Sequence, residues 1–266
     1  MTVRLPLRNP APGALLLAIA LWSPNLKAGE RYVTANFDVT APTAELACQV
    51  ALAAEEHRNE FARRWFKEEI PDWPEACQIT LVSHENAAMG WTSYQVLPSS
   101  VGELQILLKG PAPRLLEFVL PHEVAHAVLV KSLERPLPRW ADEGIALTCE
   151  SEAQQRRLRL QAAFPHSPTR LVELLDAREY PAGHDRLHRF YTHSYLFTEF
   201  LLTRGEEQQL IAFASDGQAQ GWEQAARQHY RVSSLDELQE QWQQWLSTST
   251  AMSSIDHVAR APEAAP

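Results

Sequence analysis

The stretch His122-Glu123-Val124-Ala125-His126 constrains this chain more than any other. It is followed by Ala127-Val128-Leu129-Val130, and the whole run reads as one apolar helix. Residues four apart lie on one helical face, so His122 and His126 point the same way and can share one metal ion. Glu123 is one step round, able to touch a water on that ion without ligating it. Two neutral imidazoles with a neighbouring carboxylate suit zinc-assisted hydrolysis, in which the carboxylate takes a proton from water. A buried helix with incidental histidines is the competing reading. It would bury three polar groups at roughly 1–3 kcal/mol for each one left unsatisfied.

Catalytic zinc takes three protein ligands. The extended H-E-x-x-H-x-x-G-x-x-H pattern is not met, because Leu129 and Ser132 stand at the last two fixed places. Pro136 and Pro138 end the first helix near Leu133, and a second helix starting near Trp140 can bring Asp142 or Glu143 back toward the histidines. Either acid also suits a helix start, where the helix dipole favours negative charge.

With these motifs in hand, the chain resembles the gluzincin metallopeptidases, and within them the small exported bacterial proteins described as peptidase MA-like. The resemblance rests on Leu120-Pro-His-Glu-Val-Ala-His-Ala127, on Arg135-Pro-Leu-Pro-Arg-Trp-Ala-Asp-Glu-Gly144, and on Tyr191-Thr-His-Ser-Tyr-Leu-Phe-Thr-Glu-Phe-Leu201. It extends over residues 30–247. It implies one zinc ion on His122, His126 and Glu143, with Glu123 as general base, and it favours Glu143 over Asp142. It also makes Tyr191 the first choice as donor to the oxyanion of a tetrahedral intermediate, ahead of Tyr195, His188 and His193. The strand preceding the metal helix, residues 103–109, would form a sheet edge to which an extended peptide could add.

The rest of the chain sets the frame. Residues 1–28 read as a signal peptide, with Arg4 and Arg8 before the apolar run Ala14–Trp22 and a cut after Ala28. Cleavage removes three basic side chains and no acid, taking the formal charge from −9 to −12. The expected location is therefore periplasmic or secreted, with no stable membrane insertion after cleavage. The acidic balance excludes nucleic acid as a natural partner and leaves a peptide or protein substrate.

Cys48 and Cys77 are paired as a candidate disulfide permitted by an oxidising compartment, and Cys149 is read as a small buried residue. Residues 31–40 alternate as one strand, and 42–66 form a helix with the stripe Leu46, Val50, Ala53, His57, Phe61 and Trp65. Strands follow at 78–82, 90–96 and 103–109. Pro121 either kinks or restarts the metal helix. Residues 151–163 form a solvated Arg-rich face, and 164–168 a loop. Helices are expected at 171–175, 188–202, 205–217 and 220–230, the last two broken at Asp216-Gly217. A capping box at Ser234–Glu237 opens a final helix.

The expected fold is α+β and zincin-like. A mixed N-terminal sheet with the metal helix (29–146) precedes a mainly helical part (147–247), and 248–266 is a disordered tail. The expected activity is zinc-dependent peptide hydrolysis. The absence of a G-x-M-E-N stretch leans toward an endopeptidase. An exported zinc-binding module without turnover and a non-peptide amidohydrolase are the alternatives.

Overall fold

The computed structural model describes residues 29–162 and 169–259. The expected signal peptide and the loop 164–168 lie outside them. The chain divides into two compact units. The first comprises residues up to Glu60 and Ile70–Ala127, the second Phe61–Glu69 and Val128 onward.

The first unit is built on a five-stranded mixed sheet: β1 (Glu30–Val33), β2 (Phe37–Ala41), β3 (Cys77–Ser83), β4 (Met89–Val96) and β5 (Val101–Gly110). Their order is β1-β2-β3-β5-β4. The pairs β2/β3 and β3/β5 are parallel; β1/β2 and β4/β5 are antiparallel. The single strand expected over 31–40 is therefore a hairpin. Thr34 closes it, its N–H donating to Phe37 O at 2.9 Å and its Oγ1 accepting from Phe37 N at 3.2 Å.

Period-two alternation sorts the sheet faces. Phe37, Val39, Cys77, Ile79, Leu81, Leu104, Ile106 and Leu108 are buried, whereas Gln78 and Thr80 are exposed. Helix α1 (Ala44–Phe66) follows β2. Of the expected stripe, Val50, Phe61 and Trp65 are buried, whereas Ala47, Ala51, Ala54 and Arg58 are buried in place of the half-buried Leu46, Ala53 and His57. His57 is half-buried, and burial lowers its pKa. The buried Arg58 has compensation that an apolar pattern cannot reveal. Its guanidinium donates to Ile70 O at 3.1 Å and Pro71 O at 2.5 Å and stands 5.1 Å over the Trp73 ring.

Cys48, Cys77 and Cys149 are all free thiols, so the expected Cys48–Cys77 bridge is not formed. Cys77 is buried at the start of β3 and Cys48 half-buried on α1. Spacing alone gave no reason for their side chains to meet.

After Gly110 the chain enters α2 (Ala112–Arg114), a π-helical turn (Leu115–Val119) and α3 (Leu120–Leu133) without a break. Leu120 N–H bonds back five residues to Leu115 O. Pro121, which lacks an N–H, therefore falls just after a π-turn and neither breaks nor restarts the helix. Residues 119–130 are buried throughout, as suits a helix apolar on nearly every side.

The second unit is helical: α4 (Arg139–Leu147), α5 (Glu152–Ala162), α6 (Leu171–Leu175), α7 (His184–Leu202), α8 (Glu207–Gln220), α9 (Trp222–Tyr230) and α10 (Leu235–Ala259). Rings of Trp140, Phe197, Phe213, Trp222 and Trp242 form its aromatic centre; Trp140 and Phe197 stand 5.1 Å apart, as do Phe197 and Trp242. The break between α8 and α9 is at Gly221, with φ +96°, rather than at Asp216-Gly217. Gly217 instead makes room for Trp222, whose ring carbons lie 2.0 Å from where a Cβ would stand.

Arg159 on α5 is more than a solvated charge. It donates to Glu199 at 2.6 Å and lies 5.8 Å over the Tyr195 ring. The expected capping box is present in modified form. Ser234 Oγ accepts from Glu237 N at 3.1 Å, while Glu237 reaches back to Ser233 N at 2.7 Å rather than to Ser234. Helix α10 continues to Ala259, so 248–259 is helical where a disordered tail was expected. Helix propagation adds a hydrogen bond per residue fixed, which carries even a Ser/Thr-rich stretch onward from an established helix.

Helices α4 and α7 cross at Gly144. A Cβ there would meet Thr198 Oγ1 at 2.1 Å and Ser194 O at 2.6 Å. Gly144→Ala is expected to lower unfolding stability by about 1–3 kcal/mol through overpacking. Urea denaturation reads this as a lower midpoint, and an unchanged midpoint would refute so close a crossing.

Candidate metal centre

The positions of the site residues follow from the two motif helices. His122 and His126, one turn apart on α3, bring their Nε2 atoms to 3.1 Å. The ring centroids are 4.8 Å apart at 74°. Glu143, on the second turn of α4, completes a group whose candidate ligand atoms all lie within 4.8 Å of one another. His122, His126 and Glu143 are buried, and Glu143 has no exposed surface at all. Asp142, the competing acid, belongs to no such group among the described residues.

This donor set fits a divalent ion. Two nitrogens at zinc–ligand distances of 2.0–2.1 Å in a tetrahedron stand about 3.3 Å apart, close to the 3.1 Å between the two Nε2 atoms. Neutral imidazoles and a carboxylate are also the ligand types zinc takes at catalytic sites. A buried His122/His126/Glu143 group could thus hold a metal ion.

Glu123 is fixed from the sheet side. Thr92 Oγ1 on β4 lies 2.8 Å from Glu123 Oε2 and 3.0 Å from its backbone oxygen. Gly90, two residues earlier on the same face, lets the helix come this close. A Cβ there would meet Val119 Cγ1 at 2.6 Å and Glu123 Cγ at 2.8 Å. Sheet register explains why Thr92 is available: Val39, Ile79, Ile106 and Thr92 are successive cross-strand partners. Three apolar members of this row are buried and its last member, on the outermost strand, turns polar where it reaches Glu123.

The strand expected to form the sheet edge, 103–109, is instead interior, lying between β3 and β4. After β3 the chain runs out to β4 and returns as β5 in an antiparallel hairpin, so β4 (Met89–Val96) is an edge strand.

Tyr191 is half-buried on α7 and packs against the cluster of Leu147, Tyr195 and Leu196. Tyr195 is wholly buried, with its hydroxyl 3.4 Å from Gln155 Oε1; burial, then the Glu199 carboxylate, push its phenol pKa up. His193 contacts Thr169 Oγ1 through Nδ1 and stands edge-on to Trp242, while His188 stacks on His184.

The tyrosine that bonds Glu143 is another one. Tyr180 donates to Glu143 Oε1 at 2.5 Å from the segment between α6 and α7, and its ring lies 6.1 Å from that of Tyr191. Sequence reasoning missed Gly90, Thr92 and Tyr180. The signals were faint: a glycine inside a strand, which marks a close approach, and a lone aromatic in the polar stretch Arg178-Glu179-Tyr180-Pro181.

The chain matches no protein-family model and no curated protein sequence. The assignment of the site therefore rests on residue chemistry and geometry.

The purified protein is expected to carry close to one equivalent of zinc by elemental analysis. His126→Ala and Glu143→Ala should each fall to a small fraction of that content after dialysis. Full zinc content in both variants would place the metal elsewhere.

Proposed function

We propose that this protein is a zinc-dependent metallopeptidase. The observation that carries the reading is the buried His122/His126/Glu143 group with the Glu123 carboxylate on the same helix, hydrogen-bonded by Thr92. A divalent ion held by these ligands would supply a Lewis acid that polarises a carbonyl and makes water nucleophilic near neutral pH. Glu123 accepts the proton of the attacking water and returns it to the leaving amine. A purely structural site would have no use for a carboxylate in that place.

Thr92 serves both states of Glu123. Its hydroxyl has one hydrogen and two acceptors within reach, at 2.8 and 3.0 Å. While Glu123 is a carboxylate, Thr92 donates to Oε2. Once Glu123 carries the proton on its other oxygen, Oε2 still accepts from Thr92, so the proton stays free to pass to the leaving amine. The base thus keeps a partner through the proton transfer.

An extended peptide would pair with β4, whose outer edge is the one next to Thr92 and Gly90. Tyr191, whose ring lies 6.1 Å from that of Tyr180, would be the donor to the developing oxyanion. Export through residues 1–28 belongs to the same proposal. Among the described residues, no helix is long and apolar enough to cross a membrane.

The test is hydrolysis of an unfolded protein by the wild type and by Glu123→Gln at matched zinc content. The variant is expected to lose at least about 100-fold in kcat, and Thr92→Val about tenfold as one hydrogen bond to the base is removed. Equal cleavage by wild type and Glu123→Gln would end the proposal. A zinc-loaded wild type that cleaves nothing would leave a binding module instead.

A further inference from the structure

The hydrogen bond between Tyr180 and Glu143 joins residues 37 apart in sequence. Tyr180 belongs to the stretch 176–183 between α6 and α7, whose neighbours Arg178 and Glu179 are exposed. Its own ring turns inward and is half-buried. It meets Phe190 edge-on at 6.1 Å, lies 6.1 Å from Tyr191, and has the Arg139 guanidinium 4.9 Å from its centroid. The ring is held by three neighbours, and the hydroxyl at its tip lies 2.5 Å from Glu143 Oε1.

This arrangement has a directional logic. Glu143 is fully buried, so its carboxylate needs compensation from the protein. A carboxylate has two oxygens, and a bond that fixes one of them sets the direction of the other. The cation over the ring draws electron density from it and strengthens the phenol as a donor. Arg139 and Glu143 are four apart on α4, so one helix presents both the acid and the cation that acts on its partner.

We infer that Tyr180 is a positioning residue for the metal site: its hydroxyl orients Glu143 as the third ligand, so that removing the hydroxyl alone weakens metal binding. The inference rests on the metal-site part of the proposed function and does not need the hydrolytic part. Hydrogen bonds from outside a metal site that orient its ligands typically govern affinity by about 10–100-fold.

The test compares zinc affinity of the purified full chain with its Tyr180→Phe and Tyr180→Ala variants, by competition with a chromophoric chelator. Circular dichroism and a thermal melt of each metal-free protein accompany it. Tyr180→Phe keeps the ring among Phe190, Tyr191 and Arg139 and deletes only the oxygen. The expected result is zinc binding weaker by about 10–100-fold in Tyr180→Phe, with Tyr180→Ala little worse and the fold retained in both.

Wild-type affinity in Tyr180→Phe with loss only in Tyr180→Ala would make the ring a packing element and overturn the inference. Tighter binding in Tyr180→Phe would overturn it too, since the tyrosine would then compete with the metal. A wild type that takes up no zinc would remove this inference together with the metal site. A wild type that binds zinc in the expected order but cleaves no substrate would leave the inference standing and refute only the hydrolase.

Discussion

Desolvation of polar groups governs this structure. His122, Glu123, His126 and Glu143 all lose nearly all contact with water, in helices whose other buried residues are apolar. An isolated buried carboxylate costs far more than a helix of this length can recover from propensity or packing. Such a cluster persists only if each group is given a partner, and the partners come from several elements. Thr92 reaches Glu123 from a strand, Tyr180 reaches Glu143 from a loop, and the two imidazoles face each other along one helix. Polar networks in a low-dielectric interior fix geometry because half-satisfied arrangements are penalised so heavily.

Backbone proximity is the second condition, and three glycines meet it. Gly90 allows the strand to meet the helix at Glu123; Gly144 allows α4 to lie against α7; Gly217 accepts the Trp222 ring. In each case the missing side chain is what brings two elements together. The Glu143-Gly144 pair shows this most plainly, with an acid turned one way and a bare Cα turned to Thr198 and Ser194. Such short crossings put side-chain atoms at hydrogen-bonding distances that larger residues would forbid.

Much of this was legible in the chain. Periodicity located β3, β4, β5 and α1 to within a few residues, and the capping box located the start of the last helix. The prolines at 136 and 138 set the gap between α3 and α4, and the i, i+4 histidines follow from helix geometry alone. What escaped was mostly tertiary. Arg58 is buried through carbonyls more than ten residues away and a ring, so an apolar pattern chose His57 instead. Strand order cannot be read from strand existence, and the edge was therefore assigned to 103–109 instead of β4. Tyr180 carried too little local context to stand out beside Tyr191, which has a motif around it. The cysteine pairing failed because sequence spacing says nothing about Cβ directions.

The π-turn at Leu115–Val119 has a geometric consequence of its own. An ordinary helix advances about 100° per residue, so the direction in which a chain leaves a strand would dictate which way every later side chain points. One wide turn inserts an adjustable joint between the two. The exit from β5 is set by Gly110, and the azimuth of the imidazoles is set afresh after residue 119. Excising one residue from that turn would restore a regular spiral, yet it would swing the ligand face away from its present bearing relative to the sheet.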